Sequence, residues 1–219
     1  MKKYRLFSLF IVFDVFLLIS SLFVNKDTSI LYGKVIVVDP GHGGKDNGAE
    51  VDSIMEDEIN LSIAKILYQK LFDQGVVAHL TRTSDYDLAP ENSTSRKNKD
   101  LKRRTQFINE VDADIFISIH LNIYETSNVN GVQVFYQGYK DDSEKLAKLI
   151  QKEFNKNINK KDKKMKLGDY YILNHTYPIG VLVECGFLSN YEERKNLVDT
   201  KYQEKIATNI FNGIKKYYL

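Results

Sequence analysis

Apolar runs and helical repeats alternate along the chain. Short runs rich in β-branched residues are typical of buried strands, and they predict strands at 34–39, 76–81, 115–120, 132–136 and 180–185. Apolar residues at helical spacing predict helices at 57–73, 101–111, 143–155 and 202–218. Because strands that alternate with helices are typical of α/β proteins, we expect a mostly parallel central sheet flanked by helices.

The first 24 residues follow a different pattern from the rest of the chain. Three basic residues precede an apolar run at 6–24, which is interrupted by one acid, Asp14, and by three serines. A basic start before an apolar run is typical of a secretory signal peptide or a signal anchor. Because no small-x-small cleavage motif ends the run, an uncleaved anchor is favoured. We therefore expect a hydrophobic leader at 1–24, a polar spacer at 25–33 and a single folded domain at 34–219.

Charge and cysteine content exclude several classes of protein. The 219 residues include 31 Lys+Arg, 29 Asp+Glu and one cysteine, which gives a net charge of +2. The leader, with three basic residues and one acid, accounts for the whole excess, so the domain behind it is neutral. A neutral domain is not expected to bind nucleic acid, which requires a basic face. A single cysteine also excludes an internal disulfide framework.

Two polar segments interrupt the α/β pattern. Residues 84–102 are strongly polar, and residues 156–166 include six lysines among eleven positions. Charge runs of this kind are usually solvated surface loops, which is one interpretation of both segments. The other interpretation is a docking surface for an acidic polymer or a partner protein.

Two histidines lie where strands are predicted to end. His42 stands in a DPGHGG turn directly after the first strand, and His120 ends the strand at 115–120. Glycines give such a turn its unusual backbone angles and its close approach to other groups. Because the carboxyl ends of parallel strands meet at one edge of a sheet, we expect the two rings to lie together, although 78 residues separate them. Histidine at such an edge indicates a metal ligand or a catalytic base.

Carboxylate side chains are the candidates for the third metal ligand and for a general base. A catalytic zinc site has three protein ligands and one open position, and the third ligand is expected among Glu56, Asp57 and Glu58, which spacing alone does not separate. Glu184 ends a strongly apolar strand, where a carboxylate is costly to bury without a role, and we expect a general base. Strand alternation turns Cys185 away from Glu184, which indicates a buried apolar residue and not a nucleophile.

Four ordered motifs indicate a family. The segments DPGHGG at 39–44, EDEINL at 56–61, ADIFISIHLN at 113–122 and VECGFLSN at 183–190 resemble those of the zinc-dependent N-acetylmuramoyl-L-alanine amidases of the Amidase 3 type. The resemblance extends over roughly residues 34–217. It implies that His42, Glu56 and His120 bind one Zn²⁺ per chain, and it thereby selects Glu56 among the three acids. It also implies that Glu184 is the catalytic carboxylate and that residues 34–219 are a zinc amidase domain.

The resemblance implies hydrolysis of the amide bond between N-acetylmuramic acid and the L-alanine of the peptidoglycan stem peptide. Zinc would polarise the carbonyl group, and Glu184 would move a proton from the attacking water to the leaving nitrogen. A single domain behind a hydrophobic leader is similar to the spore-cortex amidases of endospore formers, whose product a deacetylase converts to muramic-δ-lactam. A cortex role during sporulation and germination is therefore expected.

The substrate sets the expected location and partners. We expect an exported enzyme in the cell wall, or one anchored in the membrane by residues 1–24 and facing the wall or cortex. Its expected partner is peptidoglycan, as glycan strands that carry stem peptides, and a protein activator is a further candidate partner. Two alternatives remain: a related zinc peptidase or carboxypeptidase that cuts wall peptides, and a non-catalytic scaffold that binds the wall.

Overall fold

The computed structural model describes residues 29–219, so the leader predicted at 1–24 lies outside the described residues. A six-stranded sheet in the order β4-β1-β5-β8-β6-β7 forms the centre of the domain. All neighbouring strands are parallel except β6 and β8, which are antiparallel. The strands of this sheet are β1 Val35–Pro40, β4 Val77–Leu80, β5 Ile115–Asn122, β6 Gln133–Tyr136, β7 Lys166–Leu167 and β8 Ile179–Phe187. A separate antiparallel pair, β2 Glu50–Val51 and β3 Ile54–Met55, follows β1.

Helices cover both faces of the sheet. They are α1 Glu56–Phe72, α2 Arg96–Glu110, α3 Asp141–Asn157, α4 Tyr171–Asn174, α5 Tyr191–Leu197 and α6 Thr200–Tyr217. The larger core lies between the sheet and α1, α3 and α6, and the smaller core lies between the sheet and α2 and α4. Because side chains alternate along a strand, Val38 faces the larger core while its neighbour Val37 faces the smaller one. The expected α/β architecture, with a mostly parallel central sheet flanked by helices, is confirmed.

The predicted elements all form, with ends that shift by a few residues. The largest change concerns the polar segment at 84–102, because α2 begins at Arg96 and extends five residues further towards the amino end than the apolar pattern predicts. Interpreting the whole segment as a loop is therefore wrong. Arg96 donates to Asp87 over 2.7 Å, and such polar contacts order the first turn, where apolar periodicity is absent. The short elements β2, β3, β7, α4 and α5 are too brief to produce a periodic pattern.

The sheet places the candidate chemistry at one edge. Strands β1, β5 and β8 are adjacent and parallel, so their carboxyl ends lie side by side at one edge of the sheet. The candidate site lies on the face of the sheet that α2 covers. His120 of β5 pairs in register with Glu184 of β8. Within residues 29–219, no helix combines the length and the apolar character needed to span a membrane.

Candidate metal centre and active site

His42 is carried by a tight turn at the end of β1. Its backbone adopts a left-handed conformation with φ 60°, which a residue with a side chain rarely adopts. Gly41 precedes it, and a Cβ atom at Gly41 would overlap the His120 ring, so the turn requires glycine there. Arg104 of α2 holds the turn by donating to the carbonyl oxygens of Pro40 over 2.6 Å and of His42 over 2.5 Å. The sequence at 39–44 thus aims His42 at His120.

Glu56 begins α1 and points back to the same edge. One carboxylate oxygen, Oε2, accepts the backbone N–H of Ala49 over 2.8 Å. The other, Oε1, accepts the backbone N–H of Leu121 over 3.0 Å and the Asn60 side-chain amide over 3.2 Å. These donors fix the carboxylate in its ionised form, since each of them favours a negatively charged acceptor.

The three predicted ligands come together. His42 Nε2 lies 3.3 Å and His120 Nδ1 lies 3.1 Å from Glu56 Oε1. One donor atom from each of the three residues lies within 4.8 Å of the other two, which is the only such cluster of His, Cys, Asp and Glu found among residues 29–219. Asp57 and Glu58 are not part of this cluster. Two imidazole nitrogens and a carboxylate oxygen are a donor set that suits a catalytic zinc site.

The second ring nitrogen of His42 has its own partner. Asp46 Oδ2 lies 2.9 Å from His42 Nδ1, which leaves Nε2 to face Glu56 and His120. Histidines that bind metals usually have such a carboxylate or carbonyl partner, because it fixes the ring orientation and makes the ligand nitrogen more basic. Asp46 is therefore a functional residue that the sequence analysis missed. Its position four residues after His42 is the only sign of it in the sequence.

The electrostatics of the cluster favour a cation. Burial alone would raise the pKa of Glu56, but hydrogen bonds from the rings of His120 and His42 hold that pKa far below its usual range. Burial alone would lower the pKa of His42, but its contacts with Asp46 and Glu56 raise it to about 9. The two carboxylates therefore attract positive charge to the space between the rings, and a metal ion would compete there with a proton.

Glu184 lies beside this cluster and is nearly buried. Its Oε2 atom has no hydrogen-bond partner among the described residues, and its Oε1 lies 3.4 Å from the hydroxyl of Tyr170. Burial raises the pKa of Glu184 to about 7. A carboxylate whose pKa is close to neutral can both accept and return a proton. Tyr170, which comes from the loop before α4, is a second residue that sequence reasoning missed, and no motif in the sequence marks it.

Cys185 is placed as expected for a buried apolar residue. It is 0% exposed and packs in the larger core, on the opposite face of the sheet from the candidate site. Burial raises the pKa of its thiol well above the usual range, which keeps the sulfur protonated and unreactive.

A buried polar network stabilises the strand ends that carry the site. Arg104 donates to Asp39 over 2.8 Å and to Asp100 over 2.7 Å, and its side chain is 2% exposed. Asp39 also accepts the hydroxyls of Thr81 and Ser118 over 2.6 and 2.7 Å. Burial alone would raise the pKa of Asp39, but Arg104 and the two hydroxyls hold it below its usual value. This network connects α2 to the ends of β1 and β5, which present the two histidines.

The comparison with known families agrees with this geometry. Residues 36–216 match the family described as N-acetylmuramoyl-L-alanine amidase (Amidase_3), which is most of the chain. The chain belongs to this family. The resemblance inferred from the four motifs is thereby confirmed. The matched residues 36–216 make up nearly all of the described residues 29–219.

Individual relatives are similar over most of the chain. The germination-specific N-acetylmuramoyl-L-alanine amidase of Bacillus subtilis (strain 168) is 42% identical over 193 residues, which cover 86% of this chain and 81% of the relative. The LytC amidase of the same organism is 30% identical over 91% of this chain but only 38% of its own length. Among solved structures, the CwlD amidase of Clostridioides difficile, in complex with the GerS lipoprotein, is 42% identical with a TM-score of 0.81. The match covers 84% of this chain and 98% of that one.

Proposed function

We propose that this amidase hydrolyses the amide bond between the lactyl group of N-acetylmuramic acid and the L-alanine of the stem peptide. The observation that carries the proposal is the cluster of His42, Glu56 and His120 with Glu184 beside it, in a chain that belongs to the amidase family. An amide is a stable bond because resonance protects the carbonyl carbon and because an amine is a poor leaving group. The site therefore needs a means to polarise the carbonyl and a means to protonate the nitrogen.

Zinc is the metal that we assign to the cluster. His42 would bind through Nε2, Glu56 through Oε1 and His120 through Nδ1, since these are the atoms that face one another. The bound ion would polarise the scissile carbonyl and make an attacking water more acidic. Asp46 keeps the His42 ring in the orientation that presents Nε2, and Asn60 with two backbone N–H groups does the same for Glu56.

Glu184 is the residue that we assign to proton transfer. It accepts a proton from the attacking water and donates it to the departing nitrogen. Its pKa, raised to about 7 by burial, suits both halves of that task at neutral pH. The unpartnered Oε2 atom is the one available to the water, because Oε1 faces the Tyr170 hydroxyl.

The biological setting is proposed from the relatives. The germination-specific amidase of B. subtilis supports a role in the spore cortex for this chain, and the predicted leader supports export to the wall-facing side of a membrane. The CwlD structure contains a lipoprotein, GerS, which supports a protein partner for this chain as well. The leader at 1–24 as a signal peptide or anchor, the spacer at 25–33 and the catalytic domain at 34–219 remain predictions.

The proposal is tested by product analysis together with metal analysis. Zinc-loaded wild type should release stem peptides with a free L-alanine amino end from purified peptidoglycan, as measured by mass spectrometry, and Glu184→Gln should release none while retaining one zinc per chain. Glu56→Gln should lose the zinc, whereas Glu58→Gln, an exposed neighbour in the same helical turn, should keep both the zinc and the activity.

Two outcomes would favour the alternatives. Cuts within the stem peptide, with the L-alanine amide intact, would identify a peptidase. Stoichiometric zinc without cleavage of any wall substrate, even with candidate partner proteins present, would identify a scaffold.

A further inference from the structure

A basic groove leads away from the candidate active site along the sheet. It begins at Asn122, two residues after His120, and it crosses Gln133, which pairs in register with Glu184. Its volume is about 550 Å³. The groove is lined by Asn122, Phe135, Phe187, Lys163, Lys164 and Lys166, among others.

The charged side chains that line this groove are all positive. Three lysines line it, and no acidic side chain of the described residues does. The cavity of about 250 Å³ on the other side of the metal centre is different, because its three cations are balanced by the three acids Asp46, Asp87 and Asp100. A ligand that extends from the metal centre in both directions therefore meets a positive field in one direction only.

The three lysines come from the lysine-rich segment 156–166, and this segment is anchored to the domain. Asn155 donates to the carbonyl of Lys163 over 2.8 Å and accepts its N–H over 3.1 Å. Lys163 Nζ donates to the carbonyl of Gly131 over 2.8 Å and lies 5.2 Å from the centre of the Phe187 ring. Gln133 donates to the carbonyl of Lys164 over 2.6 Å. These hydrogen bonds hold Lys163 and Lys164 in fixed positions on the domain, which a solvated surface loop does not require.

Lys166 places positive charge of the groove at the edge of the sheet. It lies in β7 and pairs in register with Phe135, which itself pairs with Leu182 of β8. Phe135 packs against Tyr170, the partner of Glu184, with ring centres 5.2 Å apart. The groove therefore lies beside the reacting groups and crosses β6 to the edge strand, where Lys164 and Lys166 supply its positive charge.

We propose that this groove binds the stem peptide of the substrate and that Lys164 and Lys166 recognise its carboxylates. This inference rests on the proposed function. The two arms of the scissile amide differ in charge, since the peptide arm carries the carboxylates of its acidic residues and of its free end, whereas the N-acetylated glycan arm is uncharged. The positive groove matches the peptide arm, and the charge-balanced cavity does not.

Binding of the full-length chain to purified peptidoglycan tests the inference. All variants carry Glu184→Gln, so that the substrate is not consumed, and the probe is peptidoglycan freed of teichoic acids and other anionic polymers. Lys164→Glu with Lys166→Glu should weaken binding to walls that carry stem peptides by about tenfold. It should not change binding to glycan strands that are stripped of peptide and amidated at the freed lactyl carboxylates, because these strands are uncharged. Added salt should weaken the wall binding of the parent chain more than the wall binding of this variant.

The control introduces the same charge change elsewhere. Lys160→Glu with Lys161→Glu alters two exposed lysines of the same segment that do not line the groove, and it should bind like the parent chain. The milder pair Lys164→Gln and Lys166→Gln should produce a smaller loss in the same direction, and circular dichroism verifies that each variant folds.

Several results would overturn the inference. They are equal losses in the groove and control variants, an equal loss on the stripped and amidated glycan, and unchanged wall binding combined with loss of a protein partner, which would assign the lysines to that partner. Because binding is measured without catalysis, the outcome is separate from that of the proposed function. Peptide binding through these lysines, combined with a wild-type chain that cleaves no amide, would support the groove and refute the amidase proposal.

Discussion

Asp46→Asn tests how His42 is prepared for a metal ion. The substitution preserves the size of the side chain that lies 2.9 Å from His42 Nδ1, but it removes the negative charge. Loss of such a partner typically lowers metal affinity about 10- to 100-fold, because the ring is less well oriented and its second nitrogen is less basic. This corresponds to about 1.4 to 2.8 kcal/mol of binding free energy.

The size of this effect should depend on pH. Burial alone would lower the pKa of His42, but contacts with Asp46 and Glu56 raise it to about 9, and the proton must leave before the ring binds a metal. Wild-type affinity should therefore fall about tenfold for each pH unit below 9, which amounts to roughly 100-fold at pH 7. Asp46→Asn lowers the pKa of His42 and relieves part of this competition. The ratio of the variant Kd to the wild-type Kd should be largest near pH 9 and should shrink as the pH falls.

Competition for Zn²⁺ with a fluorescent chelator, measured from pH 6.5 to 8.5, gives this ratio directly. Asp162→Asn is the matched control, because Asp162 is an exposed acid in the lysine-rich segment and is not part of the metal cluster. A ratio of one throughout, or a ratio that grows as the pH falls, would refute the role assigned to Asp46.

Three further predictions concern the residues around the site. Arg104→Met should lower the free energy of unfolding by about 3–5 kcal/mol in urea titrations, because it leaves the buried carboxylate of Asp39 without its cation; a loss below 1 kcal/mol would contradict this. Cys185→Ala should keep its activity, and iodoacetamide should not inactivate the wild type, because the thiol is fully buried and remains protonated. Tyr170→Phe removes a hydrogen bond that lowers the pKa of Glu184, so the acidic limb of the pH–rate profile should move to higher pH; a shift to lower pH would disprove this contact.

The elements that could be predicted from the sequence are those whose chemistry repeats along the chain. The buried strands that carry His120 and Glu184 have continuous apolar runs, and these runs predict each strand to within two residues of its observed ends. The turn around His42 was predicted because its glycines stand directly after such a run. Topology then explains why the two histidines meet, since β1 and β5 are adjacent and parallel.

The remaining parts depend on contacts between residues that are distant in sequence. The amino end of α2 is ordered by an Arg96–Asp87 contact, which no periodic pattern records. Glu56 is distinguished from Asp57 by the backbone N–H groups of Ala49 and Leu121, which the sequence does not position. The groove beside the lysine-rich segment depends likewise on how β6 and β7 add to the edge of the sheet.

The order in which the site residues occur along the chain has a consequence for the cell that makes this protein. Strands β1, β5 and β8 are neighbours in the sheet, but the groups they present occupy positions 42, 120 and 184, so the site forms only after β8 has emerged and paired with β5. A ribosome-bound chain that ends before Glu184 has neither the proton-transfer group nor the complete strand that flanks His120. The cell therefore makes no complete proton-transfer site until nearly the whole domain has been synthesised.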